Sequence, residues 1–334
     1  SYAYLYEKNI IVPPREVKSK DSAFEGAYVK EVQVGLHNWV ASFDLNSLYP
    51  HLMMQYNISP ETLIEPENYT DEMRSILSQG VTVDKMLSKS VDLSRLTGAT
   101  MTPNGQFFRT DMQGFLPKMM EEMYQDRKKY KKMMLGAKQE YENETDESKK
   151  YEIEKRIAKY NNIQLAKKVS LNSAYGALGS QYFRFYDLRM ALGVTTAGQL
   201  SIRWIEGKIN GWMNKVLKTE SEDYVIASDT DSIYLNLGPL VGSIIQPDSE
   251  VTKVISIMDK ICEDKIQPFI DKSYKELADY VCAFQQKMEM KREGLSNKGI
   301  WTAKKRYILN VYNNEGVQYK EPDLKVMEIG RAHV

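Results

Sequence analysis

Net charge is the first thing this chain lacks: 45 Lys and Arg offset 45 Asp and Glu, with only three His. The overall balance therefore gives no sign of a polyanionic partner. Cysteine is nearly absent too. Cys262 and Cys282 build no disulfide framework, and their spacing matches no zinc pattern, so a reducing, cytoplasmic setting is expected. No apolar run approaches the ~18 residues of a membrane span, which excludes a membrane role on this reading. Glu7, Lys8, Arg15 and Glu16 come too early for a secretory leader. What is present is 334 residues, 42% hydrophobic and 27% charged, enough for one large or two medium domains with a real core.

The informative stretch is Val225–Leu235, VIASDTDSIYL. It reads as two short strands joined by a tight turn, with Asp229 and Asp231 at the tip. Residues i and i+2 of an extended chain share a face. Two carboxylates on one face repel each other unless a cation stands between them, which suggests a metal site. By itself a D-x-D turn is more often a solvated loop.

Other pieces are equally modest singly. Asn38–Phe43 alternates into Asp44, an acid at the end of an apolar strand that must be paired or metal-bound to be buried. Leu45–Pro50 follows, then a helix-like His51–Tyr56; Ser47 can cap it, and amides of such a turn can hold phosphate. Residues 57–115 carry turns at Pro60, Pro66 and Pro103-Asn104-Gly105 and little chemistry. From Leu116 to Asn143, and from Glu147 to Gly176, the pattern is helical around a polar joint, predicting an antiparallel hairpin. Residues 118–168 hold 14 Lys and Arg against 10 Asp and Glu, which alone describes a solvated face. Arg127 and Lys131 lie 18 and 14 residues before the joint at Thr145, and Lys168 lies 23 after it. At ~1.5 Å per residue their levels differ by roughly 7–14 Å, the length of a triphosphate. A core helix over Thr195–Leu217 and helices over Val251–Ile270 and Lys272–Met288 are expected. Lys298–Leu309 interleaves basic and aromatic residues as on a strand facing a nucleic-acid backbone, or as on a lysine-protected sheet edge. The last six residues, Ile329–Val334, fit nothing before them and are set apart as a non-native tail.

The order of these pieces is what carries weight. Asp44-Leu45-Asn46-Ser47-Leu48-Tyr49-Pro50, then Lys168-Val169-Ser170-Leu171-Asn172-Ser173-Ala174-Tyr175-Gly176, then Asp229-Thr230-Asp231-Ser232, then Lys304-Lys305-Arg306-Tyr307 resembles the motif series of family B DNA polymerases. The flanks Phe24–Glu31, Asn57–Thr62, Tyr175–Gly179 and Phe183–Arg189 resemble the replicative polymerases of T-even-type tailed phages, so the likeness spans roughly residues 24–328. Reverse transcriptases and nucleotidyl cyclases, which share a palm, lack the K-x-x-x-N-S-x-Y-G helix.

The resemblance implies an α+β right-hand fold, an antiparallel palm sheet with helices and an inserted helical-hairpin fingers domain. Its divisions would be a linker at 1–23, palm at 24–115, fingers at 116–178, palm again at 179–310 and the start of a thumb at 311–328. It implies a DNA-directed DNA polymerase core that uses two Mg²⁺, with Mn²⁺ as substitute, and takes dNTP and primer–template DNA in a host-cell cytoplasm. Asp44, Asp231 and the Leu45 carbonyl would hold metal, with Asp229 a supporting carboxylate and Glu293 an accessory one. Ser47, Leu48, Tyr49, Arg127, Lys131, Lys168 and Asn172 would bind nucleotide, with Tyr49 excluding a 2′-hydroxyl. Tyr175 and Gly176 would face the nascent base pair, and Gly26, Lys305 and Tyr307 the DNA. Departures are Ala227-Ser228 where the family has Tyr-Gly, Lys291 where the phage relatives have an acid, shorter fingers, no exonuclease motif in residues 1–23, and an end where a thumb should begin. The second reading implied is a DNA- and nucleotide-binding piece, inactive without separate exonuclease and thumb pieces. A sliding-clamp contact is not assignable.

Overall fold

A computed structural model describes residues 2–7, 9–11, 26–246 and 249–328. Phe24 and Glu25, at the start of the first resembling flank, and the terminal six residues lie outside the described residues. In chain order the elements are α1 (Tyr2–Glu7), β1 (Gly35–Leu45), α2 (Leu48–Gln55), α3 (Asp71–Ser78), α4 (Val83–Leu87), β2 (Ala99–Met101), β3 (Phe107–Arg109), α5 (Phe115–Asn143), α6 (Glu147–Leu178), α7 (Leu188–Leu217), β4 (Val225–Asp229), β5 (Ser232–Asn236), α8 (Gly238–Ile244), α9 (Val251–Ile261), α10 (Gln267–Tyr280), β6 (Met290–Ala303), β7 (Arg306–Asn314) and β8 (Val317–Met327).

Six strands form one antiparallel sheet in the order β4-β5-β1-β6-β7-β8. Of its two middle strands, β1 is buried without a break through Val40–Phe43, where alternation was expected, and β6 pairs along its whole length. α7 packs on this sheet with Val194, Ala197, Leu200, Ile205 and Ile209 fully buried, as its apolar spacing predicts. The mixed helix and antiparallel-sheet class is thus the one expected.

The hairpin is also where the sequence puts it. α5 and α6 are 29 and 32 residues long and joined through Glu144–Asp146, with Asp146 capping α6 by accepting from the Ser148 and Lys149 amides. Its root is fixed by residues that read as chemically idle. Asn57, fully buried, donates to the Arg109 and Met112 carbonyls at 2.7 Å each and accepts from the Gly114 amide at 2.8 Å. Glu61 and Ser59 accept from the Phe115 and Leu116 amides at 2.5 and 3.3 Å. Together they satisfy the free amides that begin α5, each of which would cost ~1–3 kcal/mol if buried unpaired. Gly114 is required there, because a Cβ would stand 2.5 Å from that of Ser59. At the base Met54, Met120, Tyr124 and Leu171 form a separate apolar cluster joining α2, α5 and α6.

Four expectations change. Residues 1–23 are not all linker: α1 buries Leu5 completely in the main core. The helix expected to reach Met288 ends at Tyr280, because Gln55 captures the next stretch. Its backbone carbonyl accepts from the Phe284 amide at 2.9 Å, and its Oε1 from the Lys287 amide at 3.0 Å. Lys304 and Lys305 sit in the turn between β6 and β7 rather than on a strand, with Lys305 at φ 63°. Residues 311–328 do not leave the sheet: β7 and β8 continue it through pairs such as Val311 with Asp323.

Candidate active site

The site begins with Asp44, one residue from the end of β1. It is paired with Ser232 of β5 on one side and Lys291 of β6 on the other, so three strands fix it. The next residue, Leu45, donates its amide to the Asp231 carbonyl at 2.7 Å, which ties the β1 end to the β4–β5 turn. Within that turn Thr230 adopts the left-handed conformation at φ 57° and the Asp231 amide donates to the Asp229 carbonyl at 2.6 Å. The extended i, i+2 arrangement expected for Asp229 and Asp231 is therefore broken. Asp231 faces a cavity shared with Asp44, whereas Asp229 turns to Lys305, 3.4 Å away. Of the Ala227-Ser228 pair, Ser228 is buried and pairs with Ile233, beyond a register shift between Val225 and Ala227.

The cavity holds about 740 Å³. Its floor is Asp44–Pro50 with Thr230 and Asp231, and α5 and α6 supply Arg127, Lys131, Lys168, Asn172, Tyr175 and Gly176. β6 adds Lys291, Arg292 and Glu293, and Glu315 comes from the turn before β8. Thus all the cations selected by helical level line the same cavity as the two half-buried acids. Gly26, Asp229, Lys305 and Tyr307 are not among its lining residues.

Some placements differ from expectation. Ser47 precedes α2 in the left-handed conformation (φ 46°) and does not cap it; its hydroxyl accepts from Arg127 Nη1 at 3.2 Å. Tyr307 is no DNA-facing side chain. It is buried between Tyr234 and Trp301, with its hydroxyl 2.7 Å from that of Tyr234. Gly26 meets α7, its carbonyl accepting from Gln199 Nε2 at 2.8 Å. Glu293 lies in the cavity, with Lys325 of β8 at 3.2 Å. Residues the motifs did not single out include Asn46, which donates to the Tyr124 hydroxyl, and Arg292, which is held by Asp259 at 2.6 Å and Asn313 at 2.9 Å. Lys325 and Glu315 had no local signal, since only the fold of the last two strands brings them in.

Burial raises the Asp44 carboxyl to about 7; Asp231 and Glu293 push it the same way, while Lys325 and Lys168 oppose. Burial likewise raises Asp231 to about 6, with Asp229 and Glu293 adding repulsion and backbone donation and Lys305 opposing. Both folded values exceed the ~3.9 of an unfolded aspartate, so the folded chain binds these protons more tightly. Their stabilisation is full below about pH 4 and is lost as pH rises through about 6 to 7. Without divalent cation, Asp44→Asn is therefore expected to raise the melting temperature at pH 8 by about 2–5 °C. The gain should shrink towards pH 5, as thermal melts over that range would show; a variant that melts below wild type at pH 8 contradicts this.

Among the described residues no three His, Cys, Asp or Glu side chains stand together as a closed ion cage. The donors present, two carboxylates beside a large polar cavity, fit Mg²⁺. That ion keeps waters and takes one or two carboxylates plus substrate phosphates rather than an all-protein shell. Tyr49, half-buried, lies 4.5 Å from Tyr175 ring to ring, and burial raises its hydroxyl to about 12, so it stays neutral. Among the described residues no helix is long and apolar enough to cross a membrane.

The chain is also similar to known proteins. The profile of DNA polymerase family B matches residues 3–333. The DNA-directed DNA polymerase of Escherichia phage RB69 is 32% identical over 97% of this chain and 39% of its own length. That of Enterobacteria phage T4 is 32% identical over 95% of this chain and 39% of its own length. The DNA polymerase delta catalytic subunit of Candida albicans is 29% identical over 70% of this chain and 19% of its own length. The chain thus spans about two fifths of the phage relatives it matches.

Proposed function

The chain belongs to DNA polymerase family B, and on that premise we propose that it is a nucleotidyl-transfer core that adds dNMP from dNTP to a primer 3′-hydroxyl on template DNA. The observation that carries this is the single cavity in which Asp44 and Asp231 oppose Arg127, Lys131 and Lys168. Acid on the sheet side and base on the hairpin side are what a metal-bound triphosphate needs.

In this reading residues 24–115 and 179–310, with β7 and β8, act as palm and 116–178 as fingers. Asp44, Asp231 and the Leu45 carbonyl hold the divalent ions, Mg²⁺ or in substitution Mn²⁺. When bound, these ions supply a lower pKa for the primer hydroxyl and charge neutralisation for the leaving pyrophosphate. Arg127, Lys131 and Lys168 neutralise the triphosphate, and the amides of Ser47 and Leu48 hold its tail. Asn172 orients the hairpin contact. Tyr49 lies under the sugar, and Tyr175 and Gly176 border the nascent pair on its minor-groove edge, where correct pairs share acceptors. Gly26 and Lys305 lie toward the DNA, while Tyr307 supports that surface from beneath. Asp229 and Glu293 shape the field around the metal ligands. The setting is the cytoplasm of a phage-infected host.

A second reading rests on the 39% of each phage relative that the chain spans. It is a piece that binds nucleotide and DNA but extends a primer only together with exonuclease and thumb parts outside residues 1–334, because phosphate contacts dominate DNA affinity. Both readings require the hairpin cations to bind nucleotide. Lys168 is exposed, so Lys168→Ala should keep the melting temperature. It should weaken dNTP binding with Mg²⁺ by roughly 10- to 100-fold, the value of a charge-assisted contact. Titration calorimetry measures this, and unchanged affinity removes the hairpin from the nucleotide site.

A further inference from the structure

β4 is the edge strand of the sheet, and residues 28–33 run antiparallel along it. The Lys30 amide donates to the Ser228 carbonyl at 2.9 Å and the Gln33 amide to the Ile226 carbonyl at 3.0 Å. In the other direction, the Thr230 amide donates to the Tyr28 carbonyl at 3.0 Å. That last bond reaches into the acidic turn itself, at the residue whose left-handed backbone (φ 57°) is costly for a β-branched side chain. The segment thus does more than cover an edge: it bonds directly to the residue that precedes Asp231 in the turn.

The segment is itself fastened. Lys30 is 9% exposed, and its ammonium bridges Glu206 of α7 at 2.6 Å and Asp223 at 2.7 Å. Asp223 is fixed in turn by Asn210 of α7 at 2.8 Å and the Val225 amide at 3.2 Å. Gln33 Nε2 donates to the Asp223 carbonyl at 2.8 Å. On the opposite side Glu31 pairs with Lys304 at 2.5 Å, beside the Lys305 that reaches Asp229. A buried cation between two carboxylates, one on a core helix, fixes position strongly, because losing it leaves charges uncompensated. None of Lys30, Glu206 or Asp223 lines the active-site cavity.

We propose that residues 28–33 are a strap that positions the Asp229-Thr230-Asp231 turn, and that Lys30, gripping Glu206 and Asp223, is its positioning residue. The kinetic consequence rests on the polymerase reading; the structural one does not.

The test is amide hydrogen exchange by mass spectrometry on the whole chain, free of metal and DNA, comparing wild type with Lys30→Met and Lys30→Arg. Methionine keeps the stem and removes the charge; arginine can grip both carboxylates. Lys30→Met is expected to speed exchange across residues 226–231 at least tenfold and to leave 36–43 of β1 and 294–301 of β6 unchanged, with Lys30→Arg close to wild type. Should Lys30→Met not fold, Asp223→Asn, at a position with a 44% exposed side chain, gives the same local comparison. Single-nucleotide incorporation on the same proteins should then lose about tenfold in rate at saturating dNTP, with the half-saturating dNTP concentration unmoved. Unchanged exchange at 226–231, or faster exchange spread evenly over the sheet, overturns the strap. A wild type that incorporates nothing removes the self-sufficient core instead, while the exchange result still decides the strap.

Discussion

Replacing Asp231 by alanine should lower single-nucleotide incorporation by at least about 10³-fold while the chain stays folded. A metal ligand at the reacting phosphate is worth several kcal/mol of transition-state stabilisation, and each 1.36 kcal/mol is a factor of ten. The fold should survive because the contacts of Asp231 that hold the turn are made by its backbone: its carbonyl accepts from the Leu45 amide and its amide donates to the Asp229 carbonyl. The side chain contributes repulsion instead, being one of the charges that raise Asp44 to about 7. The variant should therefore melt at or above the wild-type temperature at neutral pH without metal. Primer extension and a thermal melt on the same sample check both halves. Wild-type activity in the variant would remove Asp231 from the metal site.

Tyr49→Ala should reduce discrimination against ribonucleotides by about 10²-fold, the usual scale for a steric wall in a substrate pocket. The ring is packed rather than free: it lies 4.5 Å from Tyr175 and beside Gly198 of α7. A sugar carrying a 2′-hydroxyl must then displace a packed aromatic pair rather than a mobile side chain. Tyr49→Phe keeps the ring that makes the wall and should keep the discrimination. Competition between dNTP and rNTP at one template base measures both variants. Equal sugar selectivity in Tyr49→Ala and wild type would free Tyr49 of this role.

How much of this was legible from the chain depends on the range of the forces involved. The hairpin was legible because helical periodicity and the polar joint are local, and Arg127, Lys131 and Lys168 meet in one cavity because rise per residue is constant. The β4–β5 turn was legible as a hairpin, but its internal geometry was not. An alternating rule treats Asp229 and Asp231 alike, whereas the positive φ of Thr230 separates them. Tyr307 looked like a surface aromatic beside lysines; only the packing of Tyr234 and Trp301, distant in sequence, makes it core. Asn57, Ser59 and Glu61 showed no chemistry of their own, because their partners begin more than 50 residues later, at Arg109 and the start of α5. Lys325 was read with the end of the chain as thumb, yet the β7–β8 pairing carries it to Glu293.

The most direct test of the whole account is single-nucleotide primer extension by this chain with Mg²⁺ at low salt, with Asp231→Ala beside it. Low salt strengthens phosphate contacts and gives a chain spanning 39% of its phage relatives the best hold on DNA. Wild type should add one templated nucleotide and the variant none. Extension by both would contradict the metal site, and extension by neither, with dNTP still bound, would contradict a self-sufficient core and leave the reading of an incomplete piece.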